Sequence, residues 1–215
     1  MIKLYNLITG YNTNKIGVSI TGCIKPGSMI AIVGPNGIGK STLLKTLAGL
    51  LPPISGSLEL SNKTNPLSIS YLPQKITIDL NFPLTVFDVV SMGCWPGICL
   101  IKKLDKKQLA IIWRSLKQVK LLNTLNQYIS NLSGGQVQRM LFARVLVQKS
   151  SLILLDEPFQ GVDLDTCNMM ISAIKKLCKF GHTAIVVSHD IKFINKHFSD
   201  IFLLTSSCRT CELSM

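Results

Sequence analysis

Three short apolar runs stand out along the chain, and each ends abruptly in small or polar residues. Met29–Val33 stops at a glycine, Ser151–Leu155 at two carboxylates, and Thr183–Val187 at Ser188-His189-Asp190. Apolar runs of about five residues without polar alternation read as strands covered on both faces. They predict a parallel sheet whose ligands sit at the carboxyl ends of the strands. Two other stretches carry apolar residues at helical spacing: Lys106–Leu122 (Leu109, Ile112, Trp113, Leu116) and Val137–Gln148 (Met140, Leu141, Val145, Leu146). Both read as amphipathic helices, with Trp113 expected in a helical core.

The first run leads into Gly34-Pro35-Asn36-Gly37-Ile38-Gly39-Lys40-Ser41, the phosphate-binding loop pattern of Gly, four residues, then Gly-Lys-Ser. The glycines reach dihedrals that a Cβ forbids and let backbone N–H groups crowd a phosphate. A helix starting around Thr42 adds partial positive charge at its N-terminus. Lys40 would neutralise the β- and γ-phosphates, and Ser41 would offer its hydroxyl to Mg²⁺. At the end of the second run, Asp156 is placed to hold Mg²⁺, and Glu157 to polarise the water that attacks the γ-phosphate. Ile38 stands where small residues are common and is expected to point away.

Leu132-Ser133-Gly134-Gly135-Gln136 opens the second helix. A serine and two glycines at a helix start make a second anion site. Two phosphate sites so far apart in one chain suggest a head-to-tail pair, each nucleotide held between the loop of one copy and Ser133–Gln136 of the other.

Composition narrows the classes. With 47% apolar and 16% charged residues the chain is not disordered. No uninterrupted apolar run approaches the roughly 18 residues of a membrane span. Met1–Asn6 lacks the layout of a signal peptide, so the protein is expected in the cytosol or on the cytosolic face of a membrane. A mean hydropathy of +0.36 suggests apolar surface covered by a partner. The net charge of +12 suits an anionic membrane surface or nucleic acid, but no dense basic tract of the nucleic-acid kind appears. Seven cysteines at irregular spacing read as reduced thiols, and only Cys208/Cys211 has the spacing of a metal or redox pair.

On the phosphate loop, on Leu132–Gln136 and on Leu152–Glu157, the chain resembles the ATP-binding subunit of ABC transporters over nearly its whole length. The resemblance implies an α/β P-loop NTPase fold: a mostly parallel core sheet, a small N-terminal antiparallel sheet and an inserted helical subdomain. Residues 1–75 and 148–215 would form the nucleotide-binding core lobe, and 76–147 the helical signature lobe. It implies catalytic roles for Glu157, His189 and Gln74, with Mg²⁺ held by Ser41, Gln74 and Asp156. ATP would be bound by Tyr11 on adenine, with Tyr5 as the competing aromatic, and by Gly34, Pro35, Asn36, Gly37, Ile38, Gly39, Lys40, Ser41 and Thr42. Ser133, Gly134, Gly135, Gln136 and Asp163 would meet the nucleotide of the partner copy.

Tyr71–Lys75, Phe82–Val86 and Glu157–Asp163 look like the metal-importer branch, nearest to zinc importers and next to manganese or iron importers. Implied partners are an integral-membrane permease docking near Gln74 and residues 82–101, a second copy of the chain, and, indirectly, a periplasmic or extracellular metal-binding protein. Residence on the cytoplasmic face of the inner membrane follows. A chain ending at Met215 is expected to lack the family's usual tail. The rival readings are a soluble ABC-type ATPase acting on nucleic acid or ribosomes, which the missing second cassette disfavours, and a small P-loop kinase, which leaves Leu132–Gln136 unexplained.

Overall fold

The computed structural model describes residues 1–11, 19–60, 68–74, 78–97, 103–205 and 210–214. They form two compact units. The first comprises Met1–Gln74, Ser151–Pro158 and Ile174–Met215; the second comprises Lys75–Ser150 and Phe159–Ala173.

The first unit contains two sheets. The larger has the order β5 (Ile69–Leu72), β6 (Leu152–Asp156), β7 (Thr183–Val187), β3 (Met29–Val33), β8 (Asp200–Leu203), and every neighbouring pair is parallel. All five residues of β6 and of β7 are buried, as the unbroken apolar runs predict. The smaller sheet has the order β4 (Ser55–Leu60), β1 (Ile2–Ile8), β2 (Ser19–Ile24), β9 (Thr210–Ser214). Its N-terminal part, β4, β1 and β2, is the expected small antiparallel sheet. β1 pairs antiparallel with both neighbours, but the C-terminal strand β9 joins β2 in parallel, so the sheet is mixed. A parallel partner requires a long crossover connection, and here that connection spans most of the chain. Helix α1 (Lys40–Leu47) buries Leu43, Leu44 and Leu47 in one apolar cluster with Ile2, Leu4 and Ile20 of the smaller sheet and Ile30, Leu154 and Ile185 of the larger. That cluster fixes the start of α1 against β3.

The second unit is helical: α2 (Val86–Ser91), α3 (Lys106–Gln118), α4 (Gly134–Gln148) and the first part of α5 (Leu164–Lys179). Three expectations are corrected here. α3 ends at Gln118, not Leu122, because Lys120 turns left-handed (φ 56°) and Leu121 N–H bonds back to the Leu116 carbonyl at 2.9 Å. Its buried face is Ile112, Ser115 and Leu116, while Trp113 is 46% exposed and lies outside the core. α4 starts at Gly134, and it is buried all round rather than along one stripe: Phe142, Ala143 and Val147 are enclosed as fully as Met140 and Val145. Such a helix packs against neighbours on more than one side, here α2 and α3.

No helix among the described residues is long and apolar enough to cross a membrane.

Candidate functional site

At the carboxyl end of β3, Gly34 begins the loop. A Cβ there would meet the Leu204 carbonyl at 2.5 Å, so glycine is required by the neighbouring strand's exit. Gly37 (φ 80°) and Gly39 (φ 104°) take the left-handed conformations that turn the loop into the first turn of α1. Lys40, 7% exposed, folds back across the loop: its Nζ donates to the Gly34 carbonyl at 2.8 Å and to the Pro35 carbonyl at 3.0 Å. The ammonium therefore already lies over the cradle that an anion would enter.

Ser41 starts the helix facing β6. Its hydroxyl donates to Asp156 Oδ1 at 3.0 Å, which brings together two residues 115 positions apart in the chain. The Tyr71 hydroxyl approaches the second oxygen, Asp156 Oδ2, at 3.5 Å. Burial pushes the Asp156 carboxyl above the usual carboxylate range. The hydrogen bonds from Ser41 and Tyr71 and the charges of Lys45 and Lys40 pull it back. Burial likewise pushes the Tyr71 hydroxyl well above its ordinary value, with Asp156 adding to the effect.

Glu157, one residue past β6, adopts a left-handed backbone (φ 50°), unusual for a residue with a side chain. Its N–H is held by the Val187 carbonyl at 3.0 Å. The turn sends its carboxylate to His189 at the end of β7, with Oε2 2.9 Å from Nδ1. Glu157 is nearly enclosed and His189 is about half exposed, so the pair has one end in the protein and one in solvent.

Tyr11 is exposed, and its hydroxyl accepts from Lys45 Nζ at 3.0 Å, which holds the ring beside α1. The rival Tyr5 lies within β1, opposite Ser57 of β4. Gln74 is exposed two residues past β5. The structure thus gathers the loop, Ser41, Asp156, Glu157 and His189 at the carboxyl end of the three central strands of one sheet. Sequence reasoning missed Tyr71 and Lys45. Tyr71 was quoted only as part of the segment leading to Gln74, with no role at the carboxylate, and the β5–β6 register, Tyr71 against Leu154, is what carries its hydroxyl to Asp156.

In the second unit, Ser133 is the N-cap of α4. Its hydroxyl accepts from the Gln136 N–H at 3.3 Å, and its own N–H donates to Gln136 Oε1 at 2.8 Å. This reciprocal box uses two of the groups expected to serve an anion. The N–H groups of Gly134 and Gly135 have no intrahelical acceptor. A Cβ at either glycine would meet nothing within 4 Å. Asp163 occupies the cap of α5: Oδ1 accepts from the Thr166 N–H and Oδ2 from its hydroxyl, both at 2.8 Å, and these bonds hold its carboxyl below the usual range. Of residues 82–101, Phe82 and Trp95 are exposed and Val86, Val89 and Val90 are buried; Ile98 and its neighbours lie outside the described residues, as do Cys208 and the Cys211 side chain. Among the described residues no cluster of three metal-ligating side chains occurs.

A loop of this kind at the head of a parallel sheet, with carboxylates at a second strand end, is the arrangement of the P-loop nucleoside triphosphatases. The profile of the ABC transporter family matches residues 18–160. The chain is 43% identical over 208 residues to the manganese transport system ATP-binding protein MntB of Listeria innocua, with 94% of this chain and 86% of that protein covered. It is 38% identical to the zinc transport system ATP-binding protein TroB of Treponema pallidum, covering 94% and 77%. Among solved structures, a chain of an ABC transporter in an inward-facing conformation superposes with a TM-score of 0.81 at 28% identity, covering 95% and 79%. A dimeric ATP-binding cassette in a post-hydrolysis state, bound to ADP and Pi, gives 0.82 at 25% identity, covering 98% and 96%. The chain belongs to the ABC transporter family, as an ATP-binding subunit whose ATP hydrolysis is coupled to transport. ATPases of this family dimerise and pair with a membrane permease.

Proposed function

We propose that this ATPase powers the import of a divalent transition metal, manganese or zinc, from the cytoplasmic face of the membrane. The support for a metal cargo is the naming of its relatives, manganese for the Listeria protein and zinc for the Treponema protein, together with Tyr71–Lys75 and Glu157–Asp163. Zinc was the first expectation, and the greater number of manganese relatives gives manganese equal standing as the cargo. A metal-binding protein outside the membrane would deliver the cargo, and the permease would dock near Gln74 and residues 82–101, where Phe82 and Trp95 stand exposed. The core lobe is assigned to 1–75 and 148–215 and the signature lobe to 76–147.

The observation that carries the catalytic reading is the meeting of the phosphate loop, Asp156 and the Glu157–His189 pair at the carboxyl end of the sheet. Gly34 to Thr42 would wrap the phosphates, with Lys40 exchanging two carbonyls for phosphate oxygens and Tyr11 stacking on adenine. The Ser41 hydroxyl and Asp156 carboxylate, both hard oxygen donors 3.0 Å apart, suit Mg²⁺, and Gln74 would complete their set. Bound there, Mg²⁺ supplies charge neutralisation to the phosphates. Glu157 would take the proton of the attacking water, and His189, bonded to it, would orient that carboxylate and face the γ-phosphate. Ser133, Gly134, Gly135, Gln136 and Asp163 would serve the nucleotide of a second copy. The open space beyond Gly134 and Gly135 supports this, since no described residue lies close enough to require glycine there.

The test is uptake of labelled manganese and zinc in cells carrying the complete transporter, comparing wild type with Glu157→Gln. Loss of manganese or zinc uptake is expected, and the metal whose uptake is lost is the cargo. Unchanged uptake of both overturns the importer reading.

A further inference from the structure

The charge of the second unit is distributed unevenly. No Asp or Glu occurs between Asp105 and Asp156, while eight Lys or Arg fall in that interval. Half of these stand on α3. Its one nearby acid, Asp105, is spent on the N-cap, accepting from the Gln108 N–H at 2.7 Å. Lys106, Lys107, Trp113, Arg114 and Lys117 are all exposed, and at 100° per residue they fall on one face. The opposite face, Ile112, Ser115 and Leu116, is buried. Trp113 stands at one edge of this outward face, next to the buried stripe, with Lys117 one turn on, Lys106 two turns back and Arg114 the next residue round the helix.

This face is costly for a surface that meets only water. Trp113 keeps 46% of its area exposed, and the cations around it repel one another without an acid on the helix to relieve them. Both problems are relieved at an anionic lipid headgroup layer. There an indole ring sits at the boundary with its apolar body inward, and Lys and Arg stems reach along it to the phosphates. The 13-residue helix is about 20 Å long at 1.5 Å per residue, long enough to lie across several headgroups. The cations alone would suit the phosphates of a duplex as well, and it is the exposed indole, at home at a membrane interface, that favours the headgroup layer.

We infer that the outer face of α3 is a docking surface for anionic phospholipid headgroups, holding the second unit against the bilayer independently of the permease. The inference takes from the transporter reading only the presence of a membrane.

The test uses the purified chain without permease, nucleotide or transported metal, sedimented with vesicles of pure phosphatidylcholine or of phosphatidylcholine with 30% phosphatidylglycerol. Binding is expected only to the anionic vesicles, weakening as salt rises. Each basic side chain near such a surface is worth roughly fivefold in binding. The triple variant Lys106→Glu, Arg114→Glu, Lys117→Glu should therefore lose at least about a hundredfold. A control of equal charge, Lys176→Glu, Lys179→Glu, Lys192→Glu, should retain most binding. Trp113→Phe should abolish the blue shift of tryptophan emission on binding, and Trp95→Phe should preserve it. Unchanged ATP affinity in the α3 triple variant checks that it is folded. The inference is overturned if wild type fails to bind, if both triple variants lose binding equally, or if the face binds short duplex DNA while ignoring vesicles. None of these results touches the importer reading, which stands or falls on uptake.

Discussion

Asp156 is only 2% exposed, and burial pushes its carboxyl upward although Ser41, Tyr71, Lys45 and Lys40 all favour the ionised form. A carboxyl whose folded value lies above its unfolded one stabilises the fold when protonated. Stability is then lost as pH rises from the ordinary carboxylate range through the raised value. Without Mg²⁺, ionised Asp156 is a local liability at neutral pH. Asp156→Asn should raise the melting temperature of the nucleotide- and Mg²⁺-free protein by about 2–4 °C, which corresponds to roughly 1 kcal/mol in a chain of this size. The same variant should abolish Mg²⁺-dependent ATP hydrolysis. Calorimetry with chelator checks the first effect, and a lower melting temperature would mean that the bonds from Ser41 and Tyr71 outweigh desolvation.

At the scale of elements, the helix ends are specified by their own residues. Thr85 and Asp88 form a reciprocal cap at α2, Asp105 and Gln108 at α3, and Ser133 and Gln136 at α4. Thr85 stands apart from the proposed chemistry, so it isolates the structural value of such a cap. Its hydroxyl accepts from the Asp88 N–H at 3.2 Å and donates to Asp88 Oδ2 at 2.6 Å. Thr85→Ala should cost about 1 kcal/mol, read as the change in denaturation free energy, with ATP affinity unchanged. A loss of ATP binding would mean that the end of α2 is tied to the nucleotide site. Of these three, only Ser133 was placed at a helix start from the sequence, although each cap uses partners three residues apart. The outward turn of Trp113 was not legible. The spacing of Leu109, Ile112, Trp113 and Leu116 allows a face that includes Trp113, and only the position of α4 and α2 rotates the helix to exclude it.

For the whole molecule, the proposed cycle depends on two copies closing around ATP, and Glu157 decides when they reopen. Glu157→Gln keeps the volume of the side chain but removes its basicity. ATP should still bind, hydrolysis should fall by about 10²–10⁴-fold, and the dimer should accumulate when measured by light scattering with ATP present. A variant that turns over normally, or that stays monomeric with ATP bound, would remove Glu157 from this role. Much of the architecture needed no structure. The strands β3, β6 and β7 were legible because strands buried on both faces must be continuously apolar, and the phosphate loop because its glycines and lysine act within eight adjacent residues. Ser133 was placed at a helix start, but the helix itself was expected only from Val137, three residues after its true beginning at Gly134. Tertiary structure alone decided the strand order, the parallel docking of β9 on β2, and the meeting of Tyr71 and Ser41 on the two oxygens of Asp156. It also decided the left-handed turn that brings Glu157 to His189 across 32 residues. The reason is range: dihedral preference, capping and apolar periodicity are set by near neighbours in the chain. Strand pairing and the rotation of a helix about its axis are set by whichever distant surface is there to be buried.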